Sequence, residues 1–237
     1  MASIDWTNSY IKEEKTYLLG IIQELEAYKD YKFVKSRNAL TYRDKFHKKE
    51  MRLSMRMSLD NESNIGLEVY PSFSIRIHEV HKWFEKFYQG SNIKDFRQHS
   101  TLSMHPNHPS ELLGLKQEKN RYFFRKDQQE NWAEELAALK YSLCVIGITF
   151  FDKCADLTSI YYNYTRQLPT NKKLVIGVGK WIFEQLYIVK RVCPEEYPAF
   201  LKFAKEWQES NQKNNEPNAM IYAPYFDKIL NELEKMQ

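Results

Sequence analysis

Glycine is scarce in this chain, 7 residues in 237. Loops that cradle phosphates need glycine wherever backbone must approach the ligand, so the composition weighs against a nucleotide-binding fold. Cysteine is scarcer still. Cys144, Cys154 and Cys193 form no close-spaced metal motif, their odd number cannot pair completely, and each sits in an apolar stretch. Free buried thiols in a reducing compartment are the expected state. Long apolar runs are missing too. The longest, "SLCVIGITFF" (142–151), is about half of the roughly 20 residues that a membrane span requires. The opening "MASIDWTNSYIKEEK" has no basic start followed by an apolar run, so no secretion signal is read there and a cytoplasmic location is expected. In such a compartment the acceptor triplets at Asn61 and Asn163 would carry no glycan.

Aromatic residues are plentiful, 16 Tyr and 14 Phe among them, which suits large packed surfaces or a partner interface. Charge is unevenly placed. Residues 1–126 carry 22 Lys/Arg against 16 Asp/Glu, whereas 127–237 carry 13 against 15. Within the first part, residues 32–56 hold nine basic and two acidic residues. The asymmetry points to an acidic or polyanionic partner for the N-terminal part, against the plainer reading of a solvated face.

The apolar residues change their period along the chain. Ile11, Leu18, Ile21, Ile22, Leu25 and Tyr28 repeat at helical spacing. From residue 40 the period becomes two: "LTYRDKFH" (40–47), "MRLSMRMSL" (51–59) and "IGLEVYPSFSIRI" (65–77) read as strands of an antiparallel meander. Pro71 is expected to bend the third strand or confine it to an edge. Val80, Trp83, Phe84 and Phe87 form a short amphipathic helix, 91–120 is loop-like with a short strand at "TLSMH", and "RYFFR" (121–125) is a further strand. Asp127 and Glu130 resemble a helix start, with Trp132, Leu136, Leu139, Leu143, Ile146 and Phe150 as the inward stripe. Helices follow through 157–161, 172–192, from Pro194 and from Pro224, with "NQKNNEPN" (211–218) as a linker. The expected fold is α+β: an N-terminal helix on a curled antiparallel sheet of about four strands, then an α-helical C-terminal half. Its parts would be 1–126 and 127–237, as two regions or one continuous domain.

Side chains alternate along a strand, so the phase that buries Met51, Leu53, Met55, Met57 and Leu59 turns Arg52 and Arg56 to the other face. Arg43 leaves the first strand on that side, and Tyr70, Arg76 and His78 leave the third. Guanidinium forks among hydroxyls on a rigid sheet suit carboxylate or phosphate recognition. Arg43, Arg52, Arg56, Arg76, Tyr70 and His78 are therefore the candidate partner-binding surface. A helix from the C-terminal half lying over this face would instead make the arginines structural.

No catalytic, metal or cofactor motif emerges. His78 and His81 in "HEVHK" stand three apart, where the zinc-protease helix needs four. His99, His105 and His108 share a loop with only Glu111 to complete a metal set. "IGVGK" (176–180) lacks the third glycine of a phosphate loop and lies in an apolar helical pattern. Glu134–Glu135 and Glu195–Glu196 are adjacent pairs that diverge on a helix and cannot act as a dyad. "YYNYTRQLPTNKK" interleaves aromatics with cations, as single-stranded nucleic-acid binders do, but its half of the chain is net acidic.

The leading helix, "YKFVKSRNALTYR" (31–43), two alternating strands, "IHEVHKWFEKF" (77–87) and "RYFFRKDQQENWAEEL" (121–136) together resemble a loose group of uncharacterised bacterial domains. In that group a helix precedes a small curled antiparallel sheet and a helical tail, and some members are immunity proteins that block a toxin by binding it. The resemblance covers most of 1–165 and identifies no functional residue. It implies binding rather than catalysis, and no cofactor is expected. Immunity proteins against nucleases tend to be acidic, whereas this chain is mildly basic, so its target would present an acidic surface. The alternative is a nucleic-acid-binding accessory protein using residues 32–56; a hydrolase ranks third.

Overall fold

The computed structural model describes residues 20, 25–34, 39–44, 49–59, 66–88, 100–104, 114–115, 119–171 and 180–236. The chain forms two compact units, entering each more than once. The first takes in Met1–Asp44, Glu50–Ser74 and Ser103–Asp152; the second takes in Lys45–Lys49, Ile75–Leu102 and Lys153–Gln237.

The architecture is mixed α+β, with an antiparallel meander as expected but more strands. β1 (Lys32–Val34), β2 (Ala39–Asp44), β3 (Lys49–Leu59), β4 (Gly66–Ile77) and β5 (Leu102–Met104) follow in that spatial order, and β6 (Tyr122–Arg125) pairs with β4. The N-terminal helix expected from the sequence falls mostly on residues outside the described part and is not supported: the described residues there show only Gly20 in helical conformation and one 3-10 turn, Glu26–Tyr28, so the sheet comes first.

Pro71 does not break β4, which runs unbroken for 12 residues with Pro71 buried inside it. The pairing explains this. β6 opposes only 66–69, from Gly66↔Arg125 to Val69↔Tyr122. That ladder stops before Pro71, which has no N–H to contribute to it.

In the first unit, Leu40, Leu53, Val69, Phe73, Tyr122 and Phe124 are buried. The expected start of the next helix at Asp127 is a 3-10 segment, Lys126–Asn131, because Gln128 departs from helical geometry (φ −136°, ψ 44°). Helix α1 of the second unit (His78–Phe84) precedes it in the chain, and α2 begins only at Trp132, running to Tyr141. A π-helical segment, Ser142–Gly147, then leads into α3 (Ile148–Lys153). The inward stripe survives this widening: Leu139, Leu143, Ile146 and Phe150 are all buried. Gly147 shows why a glycine stands there. A Cβ would lie 2.4 Å from Phe73 Cε1 and 2.8 Å from the Tyr28 hydroxyl.

The second unit is helical. Besides α1 it holds α4 (Leu157–Asn163), α5 (Lys180–Val192), α6 (Tyr197–Lys213), α7 (Pro217–Tyr222) and α8 (Phe226–Glu234). Asp156 caps α4 by accepting the Ser159 N–H at 2.7 Å, and Pro194 opens its 3-10 turn at the first position, where no N–H is needed. The expected linker, 211–218, instead holds the end of α6 and the start of α7. Asn215 ends α6 in a left-handed conformation (φ 55°), which asparagine tolerates, and Pro217 starts the next helix at once. Helix α5 is buried from Trp181 to Val189. Its Phe183 stacks on Phe84 at 6.1 Å and meets Phe226 at 5.3 Å, while Tyr187 meets Trp83 at 4.9 Å.

Candidate functional site

The residues proposed from sequence do not share one open surface. Arg52 is buried, with only 7% of its side chain exposed, and its Nε donates to Glu50 Oε1. Arg43 donates from its Nε to the other oxygen of the same carboxylate at 2.8 Å, and its own side chain stays mostly exposed. Arg43 and Arg52 thus reach one carboxylate, but only Arg43 meets solvent. Glu50, two residues away in β3, gives the Arg52 guanidinium the partner it needs below the surface. Arg56 lies in β3, but its side chain is outside the described part.

Tyr70 is half-buried beneath a cation that the sequence reading did not single out. The Arg121 guanidinium lies 5.1 Å from the Tyr70 ring centroid, and its Nη1 reaches Glu68 Oε1 at 3.4 Å. Directly opposed residues of an antiparallel pair project to the same face. The register Glu68↔Phe123 therefore puts Phe123 beside this cluster. Phe123 is 37% exposed, and the Arg121 side chain is 56% exposed. Arg121 and Phe123 are thus an open part of the face that β6 and β4 share, whereas Glu50 and Arg52 of β3 are buried. A signal for this stood in "RYFFR": with Tyr122 and Phe124 facing inward, Phe123 is a large apolar residue in the outward phase, between two arginines.

Among the described residues β6 pairs with β4 alone, and its other edge is guarded. Glu135, on α2, accepts the Phe123 N–H at 3.1 Å through Oε2 and holds Lys119 Nζ at 2.5 Å through Oε1. A carboxylate on an edge N–H removes the donor that an added strand would use.

Arg76 and His78 belong to the second unit. His78 is exposed, whereas His81 is 2% exposed, so the two histidines of "HEVHK" do not form one site. His81 Nε2 lies 3.7 Å from Glu184 Oε1 on α5, and Lys180 Nζ donates to the same oxygen. Glu184 is 1% exposed. Burial raises its carboxyl to about 7 against the opposing pull of the Lys180 ammonium and the Arg76 guanidinium. Next to it Gln185 accepts from the Thr165 hydroxyl at 2.8 Å. This buried polar cluster was not anticipated, because "WIFEQLYIV" reads as an apolar stripe with two incidental polar residues.

The histidine-rich loop with His99, His105 and His108 lies outside the described residues, as does "IGVGK" apart from Lys180. Among the described residues, no group of three His, Cys, Asp or Glu is placed to hold a metal ion. No described helix is long and apolar enough to cross a membrane. Set against protein-family models, curated proteins and solved structures, the chain finds no match in any of the three.

Proposed function

We propose that this chain is a non-enzymatic protein-binding protein, and that its contact surface is the open part of the outer sheet face in the first unit. The observation that supports this is the pairing of an exposed Phe123 with an Arg121 whose guanidinium lies over the Tyr70 ring and whose side chain is more than half exposed. Arginine and aromatic side chains dominate protein interfaces, and each contact that positions them before the partner arrives lowers the freedom lost on binding. Of the residues proposed from sequence, Tyr70 and Arg43 remain contact candidates; Arg52 serves the interior.

The narrower reading is that of an immunity protein, which neutralises a toxin by occupying its surface. It rests on the resemblance in 1–165 and on the cationic excess of residues 1–126, which suits an acidic target. The nucleic-acid reading draws less support. Of the cations in 32–56, Arg43 and Arg52 hold Glu50, and Lys49 Nζ donates to the Ala155 carbonyl at 2.8 Å.

The test is a photo-crosslinking amino acid placed at position 123 in the full chain in its own cells, with position 228 as control. A discrete protein adduct from 123 and none from 228 is expected. Adducts to nucleic acid alone, or none at 123, would end the proposal. If the captured protein arrests growth when expressed alone, and co-expression of this chain restores it, the immunity reading is supported.

A further inference from the structure

We infer that Tyr70, Arg121 and Phe123 form the hot spot of the contact surface, and that its occupant is an acidic segment of a protein, a carboxylate seated on Arg121 beside an apolar group on Phe123. The inference rests on the protein-binding reading above and assigns a partner chemistry to it.

Charge is the first ground. Residues 119–126, "KNRYFFRK", carry four cations and no acid around the exposed Phe123. Within it Lys119 is answered by Glu135. Arg121 is held differently. Its Cζ lies 5.1 Å over the Tyr70 ring, and its Nη1 reaches Glu68 at a long 3.4 Å. An exposed guanidinium has five N–H donors in a rigid fork, so contact by Nη1 leaves donors for an incoming carboxylate. Phe123 supplies adjoining apolar surface on the same face. The combined target is an acidic side chain with an aliphatic or aromatic neighbour.

The manner of docking follows from Glu135. Because that carboxylate occupies the Phe123 N–H, the partner settles on the face of β6 and β4 and does not extend the sheet as an added strand. A single nucleic-acid strand fits less well. Successive bases need successive free ring faces, and the Tyr70 ring is already covered by Arg121. The carboxylates of Glu68 and Glu135, both in contact with the cations here, also oppose a continuous run of phosphates.

The experiment is fluorescence anisotropy with the full chain and three labelled probes: a short peptide alternating Glu with Leu and Phe, the same peptide with Gln for Glu, and oligo-dT of similar length. The acidic peptide is expected to bind saturably and to weaken with salt. Arg121→Ala and Phe123→Ala should each weaken it about tenfold, Arg121→Lys should not restore it, and Lys228→Ala should leave it unchanged. Melting temperatures of the Arg121 and Phe123 variants should fall by no more than a few degrees, since both side chains are partly exposed. Equal binding of the Gln peptide, tighter binding of oligo-dT through the same residues, or indifference to both alanine variants would overturn the inference. A crosslinked protein at position 123 together with a silent acidic peptide would overturn the acidic assignment while leaving protein binding in place.

Discussion

The hydroxyl of Tyr28 donates to the Leu143 carbonyl at 2.6 Å, joining residues 115 positions apart in the chain. Leu143 lies in the π-helical segment Ser142–Gly147. A π turn is wider than an α turn and leaves space for a side-chain donor at its carbonyls. Tyr28 fills that space, and Gly147 keeps it free. Replacing Tyr28 by Phe should cost roughly 1–3 kcal/mol, the penalty of a buried acceptor losing its donor. Gly147→Ala should cost at least as much, because a methyl group must displace Phe73. Urea denaturation of the two variants measures both.

The Glu50 pair offers a sharper contrast. Arg52→Ala removes a buried partner from a buried carboxylate and should cost roughly 3 kcal/mol or more. Arg43→Ala removes a mostly exposed partner of the same carboxylate and should cost under about 1 kcal/mol. Replacing Arg52 by Met together with Glu50 by Leu should recover much of the loss, since neither buried charge then remains. Equal losses from the two single substitutions would show that Arg52 is not sealed.

Glu184 should make stability fall as pH rises across the neutral range. Its folded carboxyl titrates near 7, above the ordinary 4.5, so between these values the folded state binds more protons than the unfolded one. Its contribution is therefore full below about 4.5 and lost as pH rises through 7. The loss amounts to about 3 kcal/mol at most. Glu184→Gln should flatten this slope between pH 5 and pH 8. Glu232 works in the opposite sense. Hydrogen bonds from Lys235 and Lys86 draw its carboxyl down to about 2, so its contribution holds above 4.5 and fades as pH falls toward 2. Melting curves of parent and Glu184→Gln at several pH values separate the two.

The thiols should be slow. Burial pushes Cys154 up to about 12 and raises Cys144, and the hydrogen bond that Cys193 donates to Glu195 at 3.0 Å raises it too. Thiolate is the reactive form. At pH 7.5 a chromogenic disulfide reagent should react slowly with the folded chain, at half-buried Cys144 first, and promptly with all three cysteines in denaturant.

Much of the fold was legible because it depends on neighbours in the chain. The alternation in "MRLSMRMSL" and "GLEVYPSFSIRI" gives β3 and β4 nearly to the residue, and "RYFFR" gives β6. Local chemistry also misled. Asp127 and Glu130 suit a helix start, yet Gln128 breaks the geometry and the helix waits for Trp132. "NQKNNEPN" has the composition of a linker, yet Pro217 begins a helix inside it.

The sequence by itself determined which residues share a strand face, since two-residue periodicity is a property of extended backbone and needs no partner. It therefore placed Arg43 and Arg52 in one phase, and Tyr70 in the outward phase of its own strand. Only the tertiary structure decided which of them meets water. Arg52 is buried while Arg43, on the same Glu50 carboxylate, stays exposed, and pairing of β6 with β4 brought Arg121 over Tyr70 and left Phe123 open beside it. A contact between residues 51 positions apart, as Tyr70 and Arg121 are, leaves no trace in local spacing, because nothing in either segment alone sets their register.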